Sequence, residues 1–382
     1  MADLIKSFLA ADHLGHGATL GEYHGALVPL RFSEPNAEHR AVRSAAGLFD
    51  FSFRSQFAVK GEHRVRFLHR IVSNDVKNLA PGEGTYATLL NAQGHILVDF
   101  RIYVEADQIL VDTDADLRDK AMQSLQRYII GDRVTIEPVD VCALAIQGPA
   151  ARGLLDRALA VSGPLQKEYD HVLLHLAEAP VRVARATSTG EEGYEVRLGR
   201  DRALDVWRLL LSEATNCGAL ACGTEALESL RIEAGIPRYG PDLGEDTLPL
   251  EAGLYNALSF TKGCYIGQEI VERARSRGHV NWKLVGLLCD AAAAVPVAGG
   301  KLTAGGPDGA HDKALGEVTS ACFSPTLRRP IALAYVRREA TEPGTKLALA
   351  SGAMAEVTGL PFYRRATEEA PSGAQALPAS NP

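Results

Sequence analysis

In this 382-residue chain the residue types that suggest reactivity are most concentrated in Lys262-Gly263-Cys264-Tyr265-Ile266-Gly267-Gln268-Glu269. Two glycines bracket a cysteine, which reads as a tight turn because glycine reaches backbone angles closed to other residues. A short helix over about 268–277, stopped by Gly278, is expected to follow. Cys264 would then lie just ahead of a helix start, two residues from Lys262, and both neighbours favour thiolate over thiol. One reading is a reactive or ligand-binding cysteine beside a pocket. The other is a small buried residue in a turn that needs glycine for its geometry.

A second candidate is Asp99. Residues 85–90 run in, Asn91-Ala92-Gln93-Gly94 turns and 95–104 runs out, the pattern of a β-hairpin. Strand alternation places Ile96, Val98, Phe100, Ile102 and Val104 on one face, which must be core. His95, Leu97, Asp99, Arg101 and Tyr103 take the other. Asp99 therefore either faces solvent or lines a cavity. Further on, Thr187-Ser188-Thr189-Gly190-Glu191-Glu192-Gly193-Tyr194-Glu195 is a Gly-rich turn leading into a strand, and its acids could be ordinary solvated turn residues.

The elements that must position these groups form a recurring order. A strand at 56–60 and a helix around Val65, Leu68 and Val72 are echoed by 142–148 and 150–159. The strand 108–113 and helix 115–128 are echoed by 195–198 and 203–214. The offset is about 85 to 90 residues, so the expected fold is α+β, with two related halves (about 45–140 and 141–260) packed around a cavity. The first 40 residues read as irregular up to a polar helix-like segment at 35–43. Beyond Val285 short strands with Gly/Pro turns suggest a small β-barrel over 285–365. This leaves 1–284 as the main domain. The Ala/Pro/Ser/Glu-rich 366–382 reads as a disordered tail.

Composition narrows the class. A net charge of −7 argues against a general nucleic-acid binder. Six cysteines are too sparse for a disulfide scaffold. Cys217 and Cys222, the closest pair, lack the second pair or histidine of a zinc site, so no metal is expected. No segment has the roughly 18 apolar residues of a membrane span, and no signal peptide is apparent. A cytoplasmic location is the expectation.

Several short motifs, taken together and in order, carry a family resemblance. They are 38–43 with 47–50, Asn74-Asp75-Val76, 90–94, Gln147-Gly148-Pro149, 190–195, 230–235, and Thr319-Ser320 with 324–327. Over nearly its whole length the chain resembles the glycine cleavage T-protein (aminomethyltransferase) superfamily of tetrahydrofolate-binding proteins. The 262–269 motif is similar instead to the YgfZ-type folate-binding branch linked to iron–sulfur cluster assembly and repair.

The resemblance implies tetrahydrofolate as cofactor. It implies that Glu195 meets the two adjacent N–H donors of the pterin edge, for which a carboxylate is the natural partner. Asp99 would sit near the reactive folate nitrogens, stabilising cationic character and moving a proton. Tyr86 would stack on the ligand. Arg54 or Arg101 would meet its acidic tail, a reading from charge alone. T-proteins have Arg-Asp where this chain has Leu227-Glu228, and a different pair where it has Phe53-Arg54. A leucine cannot supply the lost donors. With Cys264 taken as essential, the leading expectation is a folate-binding protein acting in iron–sulfur maintenance with assembly partners. The alternatives are a folate-dependent aminomethyltransferase served by a lipoyl carrier, a related demethylase, and a non-catalytic scaffold.

Overall fold

Alternation along 96–104 is realised in space: Val98, Phe100 and Ile102 are fully buried while Leu97, Asp99 and Arg101 are half-buried on the opposite face. The computed structural model describes residues 4–163, 165–304 and 314–365. Its first sheet runs, in spatial order, Gly84–Leu90, Ile96–Val104, Gln108–Asp114, Arg54–Lys60 and Thr135–Val139, with all neighbours antiparallel. Helices Arg64–Ile71 and Arg118–Gln126 cover its apolar face, where Phe67, Leu68, Ala121 and Leu125 meet Val98 and Phe100. Each large side chain buried there contributes roughly 1.5–3 kcal/mol, which is what holds the strand register.

The second sheet repeats that plan. His171–Leu176, Ala179–Arg185, Gly193–Leu198 and Cys142–Gln147 follow one another in the same spatial sequence, covered by helices Ala151–Leu159 and Arg200–Ala214. The halves interleave, however. Gly47–Asp50, ahead of the first-half strands in sequence, pairs with Cys142–Gln147 of the second sheet. Leu220–Ala221 then pairs parallel to it.

The expectation of an irregular N-terminus is corrected. Ile5–Lys6, Ala26–Arg31 and Thr19–Tyr23 form a three-stranded sheet, and helix Ala10–Gly15 precedes its hairpin. These strands are short and take their order from pairing partners, so local pattern did not reveal them. Helix Pro35–Ser44 begins with proline in its first turn, where the missing N–H costs nothing.

After helix Thr224–Glu233 an extended loop region leads to helix Gln268–Ser276 and then to a closed six-stranded barrel. Its strands are, in order, Trp282–Cys289, Arg329–Arg337, Ala314–Ser324, Lys301–Ala304, Lys346–Ala348 and Met354–Thr358. Glu233 fastens barrel to body. Its carboxylate accepts from Ser324 Oγ at 2.5 Å and Thr326 Oγ1 at 2.8 Å, and meets His39 at 2.9 Å and Arg43 at 2.7 Å. Several of the resemblance motifs thus do structural work. Gln147 ties Ala186 and Ser188 together, and Gly148 lies where a Cβ would stand 2.6 Å from two backbone oxygens. The 366–382 tail lies outside the described residues.

Candidate functional site

The front face of the first sheet, the loop at 168–169 and the segment after helix Thr224–Glu233 enclose a cavity of about 350 Å³. That is within the size range of small-molecule sites, roughly 300–1,000 Å³. Strand pairing places Thr88 opposite Asp99 and Tyr86 opposite Arg101, so Tyr86, Asp99 and Arg101 all reach the cavity wall. Tyr86 donates its hydroxyl to Asp99 Oδ2 at 3.0 Å. Burial and the nearby Asp114 carboxylate push Asp99 above the usual carboxylate range, although Arg54, Tyr86 and Arg101 oppose them. A carboxyl shifted upward in this way is, when ionised, a stronger proton acceptor than an ordinary one and can still hold a cation.

Behind the wall, charges alternate. Arg54 donates to Asp112 Oδ1 at 2.8 Å and to Asp114 Oδ1 at 2.6 Å. Arg197 meets Asp112 at 2.5 Å and Glu195 at 2.7 Å, and Glu195 pairs in turn with Arg101. Arg101 also donates to Ser188 Oγ at 3.1 Å. Burial by itself would raise Glu195, yet Arg101, Arg197 and Arg54 together hold it down at about 2. The chain of ion pairs ties the two sheets together. Its cost in desolvation is met only because every member has a partner.

Glu195 therefore departs from its expected place. It is fully buried, does not line the cavity, and turns one oxygen to each of two arginines. It reaches the cavity only through Arg101. Arg54 and Arg101 both line the cavity but are neutralised by carboxylates, so neither offers a free cation to an acidic tail.

Residues that the sequence reading did not assign to the site also line the cavity. Glu168 lines the cavity, accepts from Thr187 N at 2.7 Å and is raised to about 6, chiefly by burial. Tyr23, Phe51, Phe53, Tyr169 and Tyr239 add aromatic walls. Arg238, five residues past the end of helix Thr224–Glu233, lies 4.9 Å from the Tyr23 ring centroid and 2.6 Å from His24 Nε2. It lines the same cavity as Leu227 and is paired with the Glu228 carboxylate at 3.5 Å, more loosely than Arg54 and Arg101 are with theirs. Arg231 is fully engaged, by Glu228 at 2.8 Å, Asp242 at 2.8 Å and Ser320 at 2.8 Å. No local signal marks Glu168 or Arg238. Both sit on loops aimed only by the tertiary structure.

Cys264 is brought to none of this. It is exposed and does not line the cavity. The helix runs Gln268–Ser276 as expected, but its N-cap is Gly267, three residues beyond the cysteine. Lys262 is buried, and its ammonium goes to the carbonyls of His69, of Val72 at 2.6 Å and of Asn74 at 3.0 Å. It thus serves the carbonyl-rich end of helix Arg64–Ile71, whose last C=O groups have no helical partner. The buried reading of the cysteine is overturned, since its side chain is exposed. Gly267 is a packing requirement, since a Cβ there would lie 2.7 Å from Asn91 O.

Among the described residues, no helix is long and apolar enough to cross a membrane. All six cysteines are free.

Comparison with known proteins agrees with this architecture. The GCVT N-terminal domain family matches residues 9–262, and the glycine cleavage T-protein C-terminal barrel domain matches residues 283–364. An aminomethyltransferase of Rubrobacter xylanophilus is 35% identical over 375 residues, covering 97% of each chain. One from Streptomyces coelicolor is 33% identical over 375 residues, covering 95% of this chain and 98% of its own. The crystal structure of the glycine cleavage system aminomethyltransferase T from Bartonella henselae superposes with a TM-score of 0.84 at 27% identity. It covers 94% of this chain and 98% of its own. With two α+β halves around a cavity, a closed C-terminal barrel and matches across both, this chain belongs to the glycine cleavage T-protein family.

Proposed function

We propose that this protein is a folate-dependent one-carbon transferase of the aminomethyltransferase type, acting on a one-carbon unit delivered by a lipoyl carrier protein. The observation that carries this reading is Asp99: a carboxyl of raised pKa, steadied by Tyr86, on the wall of an aromatic-lined cavity. Tetrahydrofolate suits that lining. Tyr86 and Tyr169 offer faces for flat rings, worth about 0.5–1.5 kcal/mol each. Glu168 offers a cavity-facing carboxylate to the paired N–H donors of a pterin, with Glu195 holding Arg101 in place behind it.

Tetrahydrofolate supplies the nitrogen nucleophiles that take up the one-carbon unit. Asp99 stabilises positive charge developing at the carbon and receives a proton from the attacking nitrogen. Tyr86 fixes the orientation of that carboxylate. The aromatic walls exclude water from the reacting atoms.

The test supplies purified protein with tetrahydrofolate and an aminomethyl-loaded lipoyl carrier. The expected products are methylenetetrahydrofolate, ammonia and the free dithiol carrier. Absence of product from protein that binds tetrahydrofolate by calorimetry would rule out this donor and turn attention to a demethylase. Absence of binding would leave a scaffold.

The iron–sulfur reading rests on the 262–269 motif and on an exposed, free Cys264. It ranks second because that thiol lies apart from the cavity lining. Unimpaired iron–sulfur enzymes in a deletion strain under oxidative stress would dispose of it.

A further inference from the structure

Asp99 has a second aspartate beside it on the cavity wall. Arg101 pairs with Asp112 across strands Ile96–Val104 and Gln108–Asp114, so two residues along each strand Asp99 and Asp114 come side by side, and both line the cavity. Thr113 Oγ1 donates to Asp99 O at 3.1 Å, which holds that register. Two carboxylates so placed resist ionising together, and a proton offered to the pair goes to the one with fewer donors.

Asp114 has more of them. Arg54, its partner on the neighbouring strand, donates to Oδ1 at 2.6 Å. Its Oδ2 faces His24 Nδ1 at 3.5 Å, and the exposed Asp116 lies 3.3 Å from the same nitrogen. Among the described residues the Asp99 carboxylate accepts from the Tyr86 hydroxyl alone, with Arg54 and Arg101 acting on it from further off. Burial raises both aspartates. Arg54 and then His24 nonetheless bring Asp114 below its ordinary range, while Asp99, with Asp114 beside it, stays above.

The tautomer of His24 follows from Arg238, whose guanidinium lies 2.6 Å from Nε2. An arginine only donates, so Nε2 accepts and the ring proton sits on Nδ1, toward Asp114 and Asp116. His24, Asp114 and Asp116 hold their polar atoms within 4.8 Å of one another, close enough for a metal ion. A protonated Nδ1, however, has no lone pair to give a cation.

We infer that His24 and Arg238 are positioning residues for Asp99: they hold the Asp114 charge in place, so that a proton entering this pair settles on Asp99. This rests on the transfer reading above, in which an N–H bond of the attacking nitrogen breaks and an O–H bond forms on Asp99. It adds what directs that proton.

The experiment follows the aspartate carboxyl signals of the full-length protein by carbon NMR as pH falls, with Asp99→Asn and Asp114→Asn assigning the pair. It needs no turnover. Asp99 is expected to take its proton first. In Asp114→Asn the neighbouring charge is gone, so the Asp99 midpoint should fall by about one pH unit or more. His24 has φ +49, which glycine and asparagine both tolerate. His24→Gly removes a donor to the pair, and the Asp99 midpoint should rise by about half a unit. His24→Asn keeps an N–H near the place of Nδ1 and should bring it back. The acid limb of the transfer rate should move in the same directions. A purely structural His24 would leave the Asp99 midpoint where it is, and that result would overturn the assignment. So would protonation of Asp114 ahead of Asp99, or zinc bound by the unaltered protein in calorimetry and lost in His24→Gly. The expected midpoints in a protein that transfers no one-carbon unit would remove the transfer reading and leave the order of protonation standing.

Discussion

The hairpin 84–104 and the turn 262–269 touch each other and do different things. A Cβ on Gly94 of the hairpin would stand 2.9 Å from Ile270 Cβ, just as one on Gly267 would stand 2.7 Å from Asn91 O. Both stretches carry a chemically promising side chain close to a glycine turn. The hairpin sends Asp99 into an enclosed, aromatic-walled space beside Tyr86. The turn leaves Cys264 in solvent and spends Lys262 on helix-end carbonyls. Residue type states what a group can do; enclosure decides whether it acts on a ligand, because only there are partners fixed and water removed.

The sharpest way to break this contrast is Asp99→Asn. It should lower one-carbon transfer by about 10²–10⁴-fold in a turnover assay, since it removes the base without altering shape. Transfer surviving at the original rate would take the chemistry out of the cavity. Glu195→Gln tests the support behind the wall. Weakening a buried partner of Arg101 and Arg197 should cost about 3–5 kcal/mol in urea unfolding, and an unchanged midpoint would show that the network carries no load.

Acid sharpens the same point. Glu195, Glu228 and Glu233 are each held near 2 in the folded chain against an ordinary 4.5. The unfolded chain therefore takes up protons first as pH falls. Their stabilisation is fully present above about pH 4.5 and drains away toward pH 2. Denaturation followed across that window should show it. Asp99 is shifted the other way, so the acid limb of the rate profile should lie above the ordinary carboxylate range, at a pH where the fold still holds.

Lys262→Met should cost about 1–3 kcal/mol by leaving its carbonyl acceptors without a donor, with transfer per folded molecule retained. Cys264→Ala should be the mildest change. A stability shift within about 0.5 kcal/mol is expected, with one-carbon transfer intact; a large loss of transfer would bring the thiol back into the cavity's chemistry.

Much of the fold was legible because it is written in local periodicity. The core face of 96–104, the echo of the first half in the second, the helix after Gly267 and the barrel all follow from spacing that a reader can follow along the chain. The short N-terminal strands were not legible, since two to six residues pair only when a partner arrives. Nor was the passage of Gly47–Asp50 into the other half's sheet. At the site, strand alternation set Asp99 on the face opposite the core, and the family resemblance, not alternation, named it and Tyr86 for the ligand. Glu195 could be named but not placed. Its strand is buried along its entire length, so alternation there separates no inside from outside.

The sequence by itself determined the longer helices and strands after residue 40 and the apolar face of 96–104, since those depend on neighbours one to four residues apart. It also determined the family, through motifs whose order survives reading. The tertiary structure alone decided which charges neutralise one another, that Glu168 and Arg238 line the cavity, and that Cys264 does not. Those outcomes depend on groups tens to hundreds of residues apart in the chain, and electrostatic pairing and burial act through space.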